Sequence, residues 1–201
     1  MVAAAFVHEQ RSFLDCRDES ETAELASPTG GLVTAQLMQI ALMCAPLIHP
    51  ITMGAIISVE SGGNPYAVSI NYPQALAARG RSIPEIAVQP RSVAEASRLV
   101  DSLTREGFST SLGLAQISTE HLEEFGLSYM QLFDPCTNLK LAERILLRCK
   151  QQVGGTAAAA APQQLIARTL SCYNSGNDTL GLSNGYVDAI LAQARTLAAS
   201  H

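Results

Sequence analysis

Apolar residues recur at three- and four-residue spacing through most of this chain, and the spacing predicts a succession of helices. Leu37, Ile40, Ala41 and Cys44 fall on one helical face that Pro46 closes, and His49-Pro50 opens the next helix with its proline in a tolerated first-turn position. Met53, Ile57 and Glu60 share a face there, so Glu60 points where the buried residues point. Gly62 and Gly63 then stop that helix, because only a residue without Cβ takes the left-handed cap at little cost.

Residues 64–91 hold no long period and contain Pro65, Pro73, Pro84 and Pro90, which predicts an irregular excursion with room for a short β-ribbon. Ser92-Val93-Ala94-Glu95 is a capping box. It opens a helix with Val93, Ala96, Leu99, Val100 and Leu103 inward, stopped at Gly107. A short helix is expected near Glu120–Phe125, followed by one capped by Asp134-Pro135, carrying Leu139, Ala142, Leu146, Cys149 and Val153, and ended by Gly154-Gly155. Ala157–Ala161 reads as a loop or a frayed helix start. Pro162 opens a helix with Ile166, Leu170 and Tyr173 on one stripe, broken by Asn174-Ser175-Gly176-Asn177, and a last amphipathic helix begins near Tyr186. The sum is about seven helices and little strand, a mostly α domain over residues 32–197. Residues 1–31 mix charge with Ser-Pro-Thr-Gly-Gly and show no sustained period, so they read as a tail.

An apolar content of 47% with 15% charged residues fits a large core within 201 residues. The net charge of −5 gives no basic footprint and argues against a nucleic-acid partner. No segment approaches the roughly 20 apolar residues of a membrane span, and the start of the chain lacks the basic region of a standard signal peptide. The chain has no Trp, so any sugar platform falls to Tyr66, Tyr72, Tyr173 or Tyr186. The five cysteines, Cys16, Cys44, Cys136, Cys149 and Cys172, form no Cys-x-x-Cys pair and have no His or carboxylate cluster beside them, so no metal is expected. Their odd number allows at most two disulfides and one free thiol, and each is equally readable as a small core residue.

Glu60 is the candidate for chemistry. A carboxyl at a helix C-terminus among apolar residues meets the negative end of the dipole and poor solvation, which both disfavour ionisation. A general acid working near neutral pH needs that environment. Glu95, Asp101 and Glu106 read as solvated and Asp134 as a cap, which leaves Glu60 without a second carboxylate borne by a motif. A pair is the usual requirement for cleaving a glycosidic bond.

Three segments stand in order: Glu60-Ser61-Gly62-Gly63-Asn64-Pro65-Tyr66-Ala67, Gly113-Leu114-Ala115-Gln116-Ile117, and Cys172-Tyr173-Asn174-Ser175-Gly176. Together they resemble the lytic transglycosylases of the goose-type lysozyme fold, whose pattern is a Glu-Ser step at a helix end, a Gly-Leu-Met-Gln-Ile segment and an Ala-Tyr-Asn triplet. Ala115 for Met and Cys172 for Ala are the departures, and the likeness covers residues 34–195. Met43-Cys44-Ala45-Pro46, Asp134-Pro135-Cys136-Thr137-Asn138-Leu139 and the long insert before Gly113 look closer still to the transglycosylases of type IV secretion and conjugation machines.

The resemblance implies a lysozyme-like helical domain that cleaves peptidoglycan without cofactor or metal, in the periplasm, as part of such a machine. Glu60 would protonate the bridging oxygen and then, as carboxylate, activate the muramic acid's own 6-hydroxyl, closing a 1,6-anhydro ring. It further implies that Ser61 positions Glu60 or the sugar, that Gln116 lines the cleft, and that Tyr173 gives its hydroxyl to Glu60. Ser69 would meet the substrate near its N-acetyl or glycosidic region, Asn174 would touch substrate or simply end its helix, and Ala115 would replace a larger residue on the cleft floor. Cys44 pairs with Cys136 by the resemblance, while Cys149 and Cys172 lie on adjacent stripes and can pair or merely pack. Two other readings of the same fold are a hydrolytic muramidase and a non-catalytic glycan-binding or assembly module. The histidines, among them His121, sit in no motif and receive no role.

Overall fold

A computed structural model describes residues 30–71, 82–155 and 161–200. The tail expected over 1–31 lies outside them as far as residue 29, as do Pro73, Cys16 and most of the Ala157–Ala161 run. The described chain runs through α1 (Gly30–Cys44), α2 (Pro50–Ser61), β1 (Val68–Asn71), α3 (Val93–Arg105), β2 (Ser109–Leu112), β3 (Ile117–Ser118), α4 (Leu122–Phe125), α5 (Pro135–Gly154), α6 (Pro162–Ser175), α7 (Leu180–Ser183) and α8 (Tyr186–Ala199). Single 3-10 turns, Thr119–His121 and Tyr129–Phe133, precede α4 and α5. The domain is mostly helical, as the periodicity predicts.

α2 lies at the centre. Met53, Ala55, Ile56 and Ile57 are fully buried, and α1 and α8 pack against the helix. That is why its sequence is apolar on nearly every side. His49 accepts the Ile51 N–H at its start, and Gly62, at φ 60°, ends it with an N–H to the Ser58 carbonyl. Of the amphipathic helices, α8 packs on this one, while α5 packs on α1 and α6. α5 starts where Asp134 accepts the Thr137 N–H at 2.7 Å and presents Leu139, Ala142, Leu146, Cys149 and Val153 inward.

The capping box of α3 differs in detail from its sequence pattern. Ser92 accepts the Glu95 N–H at 3.2 Å, but the Glu95 carboxylate reaches the N–H of Arg91 at 2.9 Å rather than that of Ser92. Val93, expected inward, is exposed while Ala96, Val100 and Leu103 are buried, so α3 meets the core only from its second turn. Strands β2 and β3 and the four-residue α7 carry too few residues for a period to show, and the sequence does not announce them. The expected β-ribbon is larger than the excursion alone: β1 pairs antiparallel with β2, and β2 with β3, in the order β1-β2-β3.

Two disulfides fasten α5 to its neighbours, Cys44–Cys136 to α1 and Cys149–Cys172 to α6. Two polar residues on the buried face of α5 do comparable work. Glu143 accepts the N–H of Leu47 at 2.6 Å, holding the turn between α1 and α2. Asn138, fully buried, accepts the Ala115 N–H at 2.8 Å and donates to the carbonyls of Leu112 and Leu132 at 2.8 and 2.9 Å. Both hydrogens of that amide are thereby used, and its oxygen holds the turn between β2 and β3.

Candidate active site

The end of α2, the sheet and the end of α6 enclose a cleft of about 480 Å³. Glu60 forms one wall with Tyr173, Asn174, Ser175 and Gly176; Ser69, Asn71, Ser111 and Ser118 form the sheet wall; Gln116, Ile117, Glu120, His121 and Ile145 complete the lining. Of the six residues singled out from sequence, five (Glu60, Ser69, Gln116, Tyr173 and Asn174) border this space.

Ser61 does not. Its hydroxyl points away from the cleft, donating to the Leu114 carbonyl at 2.7 Å, with the Ile57 carbonyl 3.1 Å away, and accepting the Gly63 N–H at 3.2 Å. It thus ties the end of α2 to the Gly113–Ile117 segment and so fixes the backbone that carries Glu60.

Gly113 shapes that segment. It adopts φ 78°, and a Cβ there would stand 2.3 Å from Asn138 Nδ2 and 2.4 Å from the Leu132 carbonyl oxygen. Gln116 also has a left-handed backbone, at φ 48°, an uncommon state for a residue with a side chain. Its Nε2 donates to the carbonyls of Gly113 and Ala67 at 3.0 and 3.2 Å, which compensates locally and leaves Oε1 for the cleft. Ala115 is fully buried and does not line the cleft. The expectation that it stands on the cleft floor in place of a larger residue is therefore corrected: the side chain is buried in the core, and the backbone N–H donates to Asn138 Oδ1 at 2.8 Å.

Burial raises the Glu60 carboxyl from its ordinary 4.5 to about 7. A hydrogen bond from Tyr186 offsets part of this, because a donor favours the carboxylate. The Tyr186 hydroxyl donates to Glu60 Oε1 at 2.6 Å. This corrects the expectation for Tyr173, whose hydroxyl donates instead to the Ala115 carbonyl at 2.7 Å. The carbonyl lies in the buried turn where a phenol needs an acceptor, so Tyr173 braces the Gly113–Ile117 segment while its ring borders the cleft. Burial, with the nearby Glu60 charge next, pushes both tyrosine hydroxyls up. Both stay protonated as donors.

Tyr186, which the sequence offered as a helix start and as one of four tyrosines for a sugar platform, is thus the partner of Glu60 that sequence reasoning missed. The signal lay just upstream: Asn184 Oδ1 accepts the Tyr186 N–H at 3.0 Å, and its Nδ2 donates to Asn174 Oδ1 at 3.0 Å. An Asx turn followed by glycine at the head of α8 therefore aims the tyrosine. Glu120 and His121 were also missed as cleft residues, because the short helix expected near Glu120–Phe125 gave no sign of which residues face the cleft. Glu120 is exposed and accepts from the Ser109 hydroxyl at 3.1 Å.

The comparisons agree with this geometry. The family model described as the transglycosylase SLT domain matches residues 38–189. The chain is 37% identical over 163 residues to the type IV secretion system protein virB1 of Brucella suis biovar 1 (strain 1330) and to that of Brucella abortus (strain 2308), covering 77% of this chain and 62% of each relative. It is 30% identical over 172 residues to protein virB1 of Agrobacterium fabrum (strain C58 / ATCC 33970), covering 86% of this chain and 64% of that one. The chain therefore spans less than two thirds of these relatives' length. No solved structure matches it. A match through nearly the whole described fold, with the protonated carboxyl and the glycine-bounded turn inside it, establishes that this chain belongs to the transglycosylase SLT domain family.

Proposed function

We propose that the chain is a peptidoglycan lytic transglycosylase that cleaves the bond between N-acetylmuramic acid and N-acetylglucosamine with formation of a 1,6-anhydro muramic end. The observation that carries this is Glu60, a carboxyl protonated up to about pH 7 at the wall of an open cleft. It gives its proton to the bridging oxygen as that bond breaks. The carboxylate left behind, stabilised by Tyr186, takes the proton of the sugar's own 6-hydroxyl as that oxygen closes on the anomeric carbon. Acid and base are one group, restored at the end of the cycle. Ser61 and Tyr173 position the backbone around Glu60, while Ser69, Gln116 and Asn174 contact the glycan. Residues 32–197 form the catalytic domain. The likeness to virB1 proteins supports work beside a type IV secretion or conjugation apparatus at the cell wall, and two disulfides fit an oxidising compartment such as the periplasm. No described helix is long and apolar enough to cross a membrane.

Glu120 supports a second reading, since it is another carboxylate on the cleft wall. A hydrolytic muramidase would use it to activate water. Its exposure and its bond to Ser109 favour the first reading, because it is not held in a shielded position. Mass spectrometry of a digested sacculus decides. Anhydro ends, one water lighter than reducing ends, are expected from the native protein and none from Glu60→Gln, while Glu120→Gln retains activity. Reducing ends that disappear with Glu120→Gln would establish the muramidase instead.

A further inference from the structure

The ends of three helices meet at one exposed asparagine outside the cleft lining. Asn184 follows α7, and its backbone N–H donates to the Leu180 carbonyl at 3.0 Å. α7 is itself fastened to α6 where the Gly181 N–H donates to Ser171 Oγ at 2.7 Å. From there the Asn184 side chain reaches both ways. Its Oδ1 accepts the Tyr186 N–H at the head of α8, and its Nδ2 donates to Asn174 Oδ1 near the end of α6, each at 3.0 Å. Gly185, at φ 85°, makes the bend into α8.

These bonds have a fixed polarity. A backbone N–H can only donate, so the Tyr186 N–H requires the oxygen of Asn184 and turns the amide nitrogen toward Asn174. Asn174 must then answer with its oxygen. Its own Nδ2, which donates to no acceptor among the described residues, is left at the cleft that this residue borders. Reversing either amide alone would set like against like. Asn184 therefore decides which end of the Asn174 amide meets a ligand. The same side chain sets the first turn of α8, whose Tyr186 hydroxyl donates to Glu60 at 2.6 Å. Aspartate in its place would lack the donor, and serine would be too short for both contacts.

We propose that Asn184 is a positioning residue for the cleavage reaction, holding Asn174 with its amide hydrogens toward the glycan and Tyr186 toward Glu60. The inference rests on the reading that the cleft holds a glycan strand. It joins substrate binding to the acid through a residue that borders neither.

Two measurements on the full chain, neither needing turnover, test the two arms. Carbon-13 NMR of the Glu60 carboxyl, assigned by its absence from Glu60→Gln, follows the first. The titratable groups around Glu60 are Tyr186 of α8 and Tyr173 of α6, with Glu120 and His121 on the same cleft, and the Asn184 substitutions leave all four in place. Asn184→Ala should raise the midpoint from about 7 by about half a pH unit, because a Tyr186 less well held favours the carboxylate less. Asn184→Ser, whose hydroxyl still accepts the Tyr186 N–H, should restore most of the original value. Calorimetric titration of the Glu60→Gln protein with the hexamer of N-acetylglucosamine follows the second arm. Adding either Asn184 substitution should weaken binding about fourfold, the scale of one net hydrogen bond, and should change nothing once Asn174 is alanine.

A change in only one of the two measurements overturns the proposal, because Asn184 would then serve one neighbour alone. Equal weakening with and without the Asn174 side chain also overturns it, by making Asn184 a general support of the loop. The reading beneath it fails differently. No hexamer binding by the Glu60→Gln protein rejects the glycan cleft and the role of Asn184 together, whereas binding that Asn184→Ala leaves unaltered rejects the role of Asn184 alone.

Discussion

The proposed role of Glu60 needs a carboxyl protonated near neutral pH, and the burial that provides it also destabilises the fold once the group ionises. Its folded value of about 7 lies above the ordinary 4.5, so below pH 4.5 both folded and unfolded states hold the proton and there is no penalty. As pH rises through 4.5 the unfolded chain ionises first, and the penalty grows until the folded carboxyl also ionises above about 7. The gap corresponds to about 3 kcal/mol, of which about 2 is expected to show at a cleft open to water. Glu60→Gln, which cannot ionise but still accepts from Tyr186, is therefore expected to stabilise by about 2 kcal/mol at pH 8 and by nothing at pH 4. Urea unfolding at the two pH values measures this, and an equal effect at both would show that ionisation is not the cause. Catalysis reads the same proton from the other side. In the proposed reaction cleavage requires the acid form, so its rate should fall as pH rises through about 7. Tyr186→Phe removes the donor that favours the carboxylate and should move the falling limb upward by about one pH unit. An unmoved limb would separate Tyr186 from the titration of Glu60.

Among the elements, the turn from Gly113 to Gln116 joins the site to the core, and its tolerance should differ sharply from that of the glycine ending α2. Gly62, at φ 60°, has nothing within 4 Å of where a Cβ would sit, so alanine there incurs only the left-handed backbone cost of about 1 kcal/mol. Gly113→Ala adds a Cβ at 2.4 Å from a backbone oxygen and at 2.3 Å from a buried amide nitrogen whose two hydrogens are both engaged. Neither neighbour can yield freely, and a loss of about 3 kcal/mol or more is expected in the urea midpoint, together with loss of cleavage as Gln116 moves. The contrast also marks what the sequence makes legible. Helices α2, α5 and α8 were readable because their apolar residues repeat, and Glu60 because two glycines stop its helix. A two-residue strand such as β3 has no period to read. Asn138 and Glu143 sit on the apolar face of α5 and bind backbone groups of distant loops, so their roles exist only once the loops are placed. Tyr186 reaches Glu60 across 126 residues, and the Asn184-Gly185 turn that places it at the head of α8 does not by itself name Glu60 as its partner.

For the molecule as a whole, α5 is the strut to which the site is fastened. It is bonded to α1 through Cys44–Cys136 and to α6 through Cys149–Cys172. Through Asn138 it also holds the turn that Ser61 and Tyr173 brace. The two disulfides should contribute unequally, because a cross-link stabilises mainly by restricting the unfolded chain and does so more for a longer loop. The bridged residues are 92 and 23 positions apart, which corresponds to about 4–5 and about 3 kcal/mol respectively. Replacing Cys44 and Cys136 together by serine should therefore lower the urea midpoint more than replacing Cys149 and Cys172 together. Activity should show the opposite order under conditions where both variants remain folded. Cys172 immediately precedes Tyr173 on the cleft wall, so loosening it disturbs the brace on Ala115, whereas Cys44 and Cys136 both lie outside the cleft lining. Because Cys44, Cys149 and Cys172 are buried, a thiol reductant should act slowly on the native protein and quickly once urea opens it. Rapid reduction of both bridges without denaturant would mean that α5 separates from its neighbours in the native state, and the site would then lack the rigid support described here.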